Sequence, residues 1–197
     1  MDYMNSLPWE NSEFYKAWLA QTYYYTRYTT RMIAMSAAWS PSGNHEYFMT
    51  LVDHIREEHG HDQIAINDLK ALDGSIDQYQ ENGLSRSIWE TQFYKILKHP
   101  SYLFGCGIAL ETLAAKNLPQ LYDRLLKAYP AKACNFVKVH AQEDPQHVSK
   151  LLGLTEQCSV SDREEILRSY DQIVDLYYYL LMAVHTESKE RSAATAA

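Results

Sequence analysis

Apolar side chains recur every three to four residues through long stretches of this chain, which is the pattern of helices with one buried face. Residues 12–39 contain neither glycine nor proline, and Pro41 and Gly43 then interrupt the pattern. We therefore expect one helix of about seven turns there. A second periodic stretch covers residues 44–72 and ends at Asp73-Gly74, a pair that favours a turn.

The remainder of the chain repeats this helical pattern in further pieces. Helices are predicted at residues 85–98, 102–116, 119–129 and 131–152, and Ser161-x-x-Glu164 is a capping box that opens a last helix through residue 184. Gly105 and Gly107 would let a neighbouring helix approach closely. Since no segment alternates convincingly as a strand does, we expect an all-α, single-domain bundle of about seven helices over residues 1–186. A disordered tail is expected at residues 187–197.

Composition excludes several classes of protein. The 18 Lys and Arg against 25 Asp and Glu give a net charge of −7, which argues against nucleic acid as a partner. No apolar run reaches the roughly 18 residues of a membrane span, and the first residues lack the features of a signal peptide. Because the 3 cysteines show no C-x-x-C spacing, we expect free thiols and a cytoplasmic protein. A homodimer is the base-rate expectation.

Two segments concentrate histidine and acidic residues in the same order. On a helix, positions i, i+4 and i+7 share one face. That face carries a histidine, an acid and a histidine in both segments: His54, Glu58 and His61 in the first, and His140, Asp144 and His147 in the second. Imidazole and carboxylate together suit iron, manganese or zinc, and helix bundles hold such ions between facing helices.

A site for two cations also needs a bridging carboxylate, and Glu111 is the candidate. Its neighbours in the sequence are nearly all small or apolar, so an unpaired carboxylate there would be costly. Glu57, Glu143 and His59 lie off the shared face, so we expect them at the surface. The isolated residues His45, His99 and His185 are expected to be surface residues or satisfied core residues. Pro145, between Asp144 and His147, predicts a kink or an irregular turn in its helix.

With these residues placed, the chain resembles the heme-oxygenase-like diiron oxidases and oxygenases, which share their fold with TenA-type and PqqC-type proteins. The motif His140-x3-Asp144-x2-His147 resembles the third core helix of that superfamily. Gly107-x3-Glu111 resembles its second core helix, and Glu58-x2-His61 resembles the first. The resemblance covers about residues 45–150.

The resemblance implies a set of metal ligands and an activity. The implied ligands are Glu58, His61, Glu111, His140, Asp144 and His147. His54 stands where some members have glutamate, so it is open to three roles: a seventh ligand, a replacement for Glu58, or an outer-shell donor that orients a carboxylate. Glu46 is the nearest candidate for a further carboxylate. Two iron ions, cycling between Fe(II) and Fe(III), would use O2 as cosubstrate.

We therefore expect a non-heme diiron oxidoreductase that acts on a small metabolite, either an amino acid or a fatty acid. The implied reactions are oxidative C–C cleavage or decarboxylation, desaturation and N-oxygenation, with an external electron donor where the reaction needs one. Arg27, Arg31, Arg56 and Lys70 are the candidates for binding a substrate carboxylate. One alternative is a metal-independent enzyme of cofactor metabolism with a catalytic cysteine or glutamate in its pocket, for which Cys106 is the plausible thiol. Another is a non-catalytic helical protein that binds metal.

Overall fold

Helices account for nearly all of residues 2–195, the part of the chain that the computed structural model describes, and no strand occurs among them. The α-helices are α1 Asp2–Ser6, α2 Ser12–Thr26, α3 Thr29–Ala38, α4 His45–Glu58, α5 His61–Ala71, α6 Gly83–Lys98, α7 Leu103–Ala128, α8 Asn135–Glu156 and α9 Val160–Thr195. The predicted all-α bundle is confirmed. It has about seven helical units when α2 with α3, and α4 with α5, are each counted as one interrupted helix.

The helix predicted over residues 12–39 is broken between α2 and α3. The Thr26 hydroxyl donates to the Thr22 carbonyl at 2.8 Å, a contact that tends to bend helices. Tyr28 stacks on Trp89 of α6 with 4.0 Å between the ring centroids, and the Arg27 guanidinium lies 4.9 Å from the Tyr28 ring. Contacts between helices therefore override the local preference for a continuous helix.

The second predicted stretch, residues 44–72, is broken between α4 and α5. Gly60 has φ 90 and His59 is extended, and a positive φ of this kind is readily adopted only by glycine. Glu58 is therefore the last residue of α4, and His61 is the first residue of α5. The break places both side chains at the junction of the two helices.

Two prolines lie within helices instead of ending them. The predicted helices at 102–116 and 119–129 form the single helix α7 with Pro119 inside, and α8 continues through Pro145. The separation expected at Pro119 is therefore wrong. Leu118 and Leu121 are buried on either side of Pro119, and this packing holds the helix together where a backbone hydrogen bond is missing.

The last helix is longer at both ends than the sequence predicts. Ser159 caps it, since the Asp162 amide donates to the Ser159 hydroxyl at 3.1 Å. The tail expected to be disordered from residue 187 is helical through Thr195, while residues 196 and 197 lie outside the described residues. The Asn82 side chain donates to Glu187 at 2.9 Å, and Arg191 donates to the Gln78 carbonyl at 3.0 Å. These contacts anchor the final turns of α9.

Gly105 lies where α7 meets α9, as the sequence predicts. A Cβ atom there would lie 2.7 Å from the Tyr170 amide nitrogen and would also collide with the Ile166 carbonyl oxygen. At Gly107 a Cβ would lie 2.6 Å from a methyl group of Leu151. Both glycines permit a close approach between helices. Among residues 2–195 no helix combines the length and the apolar character of a membrane span.

Candidate metal centre

Seven side chains of metal-binding type meet in the interior of the bundle. They include every residue that the resemblance implied as a ligand, together with His54. All seven are buried or nearly so, Glu111 being the most exposed with 12% of its side chain accessible. Their positions are His54 and Glu58 on α4, His61 on α5, Glu111 on α7, and His140, Asp144 and His147 on α8.

One compact group consists of His54, Glu58, Glu111 and His147, each offering an atom within 4.8 Å of the others. His54 Nε2 lies 3.3 Å from Glu111 Oε1 and 3.6 Å from Glu58 Oε1. His147 Nδ1 approaches the same Glu58 oxygen at 3.5 Å. We call this set the first group.

A second group consists of Glu58, His61 and His140. His61 Nδ1 lies 3.3 Å from Glu58 Oε2, so the two oxygens of Glu58 face different groups. His140 Nδ1 donates to the Phe136 carbonyl at 2.8 Å, which leaves its Nε2 lone pair free to bind. Glu111, the bridging carboxylate expected from the sequence, belongs to the first group only, and the carboxylate common to both groups is Glu58.

Many of the polar atoms in these side chains lack a hydrogen-bond partner. Among the described residues, the buried side-chain atoms without such a partner include His54 Nε2, His61 Nδ1, His147 Nδ1, Glu111 Oε2 and Asp144 Oδ1. Native proteins pair nearly all buried polar groups, and a cluster of exceptions calls for an explanation. A cation held between these atoms would satisfy them together.

The buried carboxylates repel one another where no cation lies between them. Burial, together with the nearby charges of Glu111 and Glu58, raises the pKa of Asp144 to about 9. Burial also raises the pKa of Glu111 to about 7. Burial acts in the same direction on Glu58, but its contacts with His54 and His61 outweigh it and keep its pKa below the usual range. Glu58 is therefore the anion around which the histidines gather.

The histidines differ in their readiness to bind a cation. Burial lowers the pKa of His140 to about 4, so its ring is neutral near pH 7. Burial likewise lowers the pKa of His147. For His54, burial would lower the pKa, but the neighbouring carboxylates of Glu111 and Glu58 raise it to about 10. The pKa of His61 is raised in the same way by Glu58.

Glu57, which the sequence predicts at the surface, contacts His147 at the solvent-facing side of the cluster. Its Oε2 lies 3.2 Å from His147 Nε2, and Lys150 donates to both of its oxygens at 2.6 and 2.8 Å. Residue spacing gave no signal for this contact, because it joins α4 to α8. Glu143 is exposed as expected, and its Oε2 lies 3.7 Å from His61 Nε2.

The remaining candidates lie apart from the two groups. Glu46 is exposed near the start of α4, and His45 and His59 are exposed as predicted. His99 and His185 are half-buried elsewhere, with His99 contacting Ser101 at 2.7 Å.

An apolar cavity adjoins the cluster. His54, Glu58, Glu111, His140 and Asp144 line one part of it, and the other lining residues, which include no Lys or Arg, are mostly aliphatic and aromatic. The candidate carboxylate binders Arg27, Arg31, Arg56 and Lys70 are absent from that lining. Arg27 instead lies over tyrosine rings and Arg56 pairs with Asp53, while Lys70 is exposed to solvent.

The sequence profile of a family described as iron-containing redox enzymes matches residues 16–178, which is most of the chain. The chain belongs to this family of iron-containing redox enzymes. The matched residues include all seven side chains of the cluster, so this family member has its candidate ligands inside the region that defines the family. No curated protein matches the sequence.

Solved structures of other proteins share the fold of this chain. A domain of unknown function with a heme oxygenase-like fold from Shewanella denitrificans aligns over 94% of this chain and 87% of its own, with a TM-score of 0.79 and 16% identity. A TenA homolog from Pseudomonas syringae pv. tomato aligns over 88% and 79%, with a TM-score of 0.71 and 17% identity. The predicted heme-oxygenase-like fold is therefore confirmed.

Proposed function

We propose that this protein is a non-heme diiron oxidoreductase that uses O2 to oxidise a small, largely apolar molecule. The observation that carries the proposal is the buried cluster in which two groups of ligand-type side chains share Glu58 and leave several polar atoms unpartnered. Membership of an iron-containing redox family supports it.

The residues fit two metal ions. His54, Glu58, Glu111 and His147 would hold one ion, and Glu58, His61 and His140 would hold the other. Asp144 is adjacent, with Oδ1 3.8 Å from His147 Nδ1. A mixed imidazole and carboxylate set suits iron, and iron would supply the reduction of O2. Because His54 and Glu58 occupy the same group, the geometry favours His54 as an additional ligand and not as a replacement for Glu58.

Protons oppose metal binding in the free protein. His54 carries a proton near pH 7, because Glu111 and Glu58 raise its pKa to about 10 against the effect of burial. Asp144 also carries one, since burial raises its pKa to about 9. A cation must displace such protons before these side chains can ligate it. Metal binding should therefore release protons, and its apparent affinity should rise with pH.

The cavity favours an apolar substrate. Several polar lining groups are engaged within the protein: Trp18 Nε1 donates to the Tyr177 hydroxyl at 3.1 Å, and Thr26 donates to the Thr22 carbonyl at 2.8 Å. Away from the cluster, the described lining offers no charged side chain to pair with an ammonium group, and burying an unpaired charge is costly. Of the two expected substrate classes, a fatty acid, which has one charged group at the end of an apolar chain, fits this lining better than an amino acid, which has two.

The size of the cavity agrees with a chain of moderate length. Its volume is about 120 Å³, on a scale where one water needs roughly 10–15 Å³. The cavity thus has room for on the order of ten water-sized groups. Oxidative C–C cleavage, decarboxylation and desaturation are the expected reactions that an apolar chain can undergo. An external electron donor would complete the reduction of O2 where the substrate does not supply enough electrons.

Anaerobic titration of the metal-free protein with Fe(II) tests the proposal. We expect about two irons per chain in the wild type, one in His140→Ala, one in Glu111→Ala, and almost none in Glu58→Ala, because only Glu58 belongs to both groups. The exposed residues His45 and Glu46 provide matched controls, and His45→Ala and Glu46→Ala should bind as the wild type does.

Mixing the iron-loaded protein with O2 then tests the chemistry. We expect a transient visible absorbance that is lost in His140→Ala and Glu111→Ala and is accelerated by a fatty acid more than by an amino acid. Iron uptake without any reaction with O2 would instead support a protein that only binds metal. If no iron binds at all, the proposal is wrong.

The metal-independent alternative requires a nucleophile in the cavity. Cys106 lines the cavity, but burial raises the pKa of its thiol to about 12, which keeps it in the unreactive neutral form. Activity that persists in the presence of a chelator and disappears in Cys106→Ala would favour that alternative. The expected homodimer stays a prediction, and sedimentation of the purified protein tests it.

A further inference from the structure

Glu57 and Lys150 form a polar pair beside the first group. Lys150 follows His147 by one turn of α8, and its Nζ donates to both oxygens of Glu57 on α4. Glu57 Oε2 lies 3.2 Å from His147 Nε2 on the outer edge of the imidazole ring. The opposite edge of the ring carries Nδ1, which has no hydrogen-bond partner and lies 3.5 Å from Glu58 Oε1.

We propose that Glu57, held in place by Lys150, is a positioning residue that fixes the tautomer and orientation of His147. A neutral imidazole carries its proton on only one nitrogen. With the proton on Nε2, facing the Glu57 carboxylate, the Nδ1 lone pair points into the first group. This inference rests on the proposed metal centre for its consequence, but the tautomer itself is a property of the metal-free protein.

The geometry distinguishes this role from that of an ordinary surface ion pair. The Glu57 side chain is 36% exposed and that of Lys150 is 34% exposed, and ion pairs of this exposure contribute little to stability. Loss of the pair should therefore leave the fold intact. A carboxylate against the outer nitrogen of a metal-binding histidine, in contrast, commonly changes metal affinity by 10- to 100-fold.

Nitrogen NMR of the metal-free protein, with the histidine rings labelled with ¹⁵N, tests the tautomer directly. We expect His147, assigned through the signal missing in His147→Gln, to be protonated on Nε2 in the wild type. Glu57→Ala should give a mixture of the two tautomers. Glu57→Gln should restore the Nε2–H form, because its amide oxygen can still accept a hydrogen bond from Nε2–H.

Titration with Co(II), followed by visible absorption, tests the consequence. Glu57→Ala should bind the ion of the first group 10- to 100-fold more weakly, with a changed spectrum. Glu57→Gln and Lys150→Met should show smaller losses. Glu156→Ala, which removes an exposed glutamate of α8, should bind Co(II) as the wild type does. Thermal unfolding should be nearly the same for all these variants.

The outcomes separate this inference from the proposed function. If Glu57→Ala keeps the wild-type tautomer and Co(II) affinity, or loses affinity only in proportion to a loss of stability, the positioning role is wrong. If the wild type binds no Co(II), the proposed metal centre fails, while the NMR measurement still decides whether Glu57 sets the ring of His147.

Discussion

Replacing Gly105 with alanine tests the close contact between α7 and α9. The added Cβ would lie 2.6 Å from the Ser169 Cβ and 2.7 Å from the Tyr170 amide nitrogen, and it would also collide with the Ile166 carbonyl. Two of these three atoms belong to the backbone of α9, which cannot rotate away as a side chain can. The helices α7 and α9 would have to separate, and their shared core packing would loosen.

The expected magnitude follows from two opposing terms. Alanine in place of glycine within a helix is favourable by roughly 0.8–1 kcal/mol, while overpacking of a close contact typically costs about 1–3 kcal/mol and occasionally more. Because the contact at Gly105 involves rigid backbone, we expect the cost at the upper end, for a net loss of about 1–3 kcal/mol in the free energy of unfolding. In a chain of this length that lowers Tm by roughly 2–12 °C.

Gly153 provides the matched control. It lies within α8, and a Cβ atom there would meet nothing within 4 Å. Gly153→Ala should therefore raise Tm by roughly 2–4 °C through helix propensity alone. Urea unfolding followed by circular dichroism measures both variants. If Gly105→Ala proves as stable as Gly153→Ala, the close approach of α7 to α9 is refuted.

Further predictions concern Asp68 and the effect of iron on stability. Asp68 of α5 is buried and accepts hydrogen bonds from the Phe136 amide at 2.7 Å and the Asn135 side chain at 3.2 Å. Asp68→Ala should therefore lower the free energy of unfolding in urea by about 2–4 kcal/mol, whereas Asp68→Asn retains an acceptor and should lower it less. Burial raises the folded-state pKa of Asp68 from 3.8 to about 6, so its protonated form favours folding. The wild type should lose stability relative to Asp68→Asn as the pH rises from about 4 to 6, and an unchanged difference would contradict this reasoning. Fe(II) at about 100 times its Kd should stabilise the protein by about 2.7 kcal/mol, and a chelator should reverse this effect. An equal Tm with and without metal would argue against a preformed site.

Helical periodicity grouped the histidines and acids of the two segments correctly because the shared face survives the break in the first segment. His54 and Glu58 lie one turn apart on α4, as the spacing requires. His61 begins a new helix, yet the left-handed Gly60 turns α5 so that His61 Nδ1 still comes within 3.3 Å of Glu58. Residue spacing thus identified which side chains meet, and the backbone turn at Gly60 decided how they meet.

Features that depend on contacts between distant residues could not be predicted from the sequence pattern. The sharing of Glu58 by both groups follows from the direction of its two oxygens at the end of α4, which periodicity does not encode. The contact of Glu57 with His147 joins α4 to α8, and Lys150 of α8 pairs with the same Glu57 carboxylate. The last turns of α9 are helical because they contact residues about a hundred positions earlier, such as Asn82. Local propensity alone predicts none of these.

In the proposed metal centre, the carboxylate of Glu58 would couple the binding of the two ions. One anion faces both groups, with Oε1 toward His54 and His147 and Oε2 toward His61. A cation in either position would draw on the negative charge that the other position also needs, so the second ion would bind more weakly than the first. Such coupling is reciprocal by thermodynamic necessity, so a change that weakens the binding of one ion would strengthen the binding of the other. A substrate that displaces a ligand in one group would therefore change the affinity of the other group for its ion without any movement of the helices.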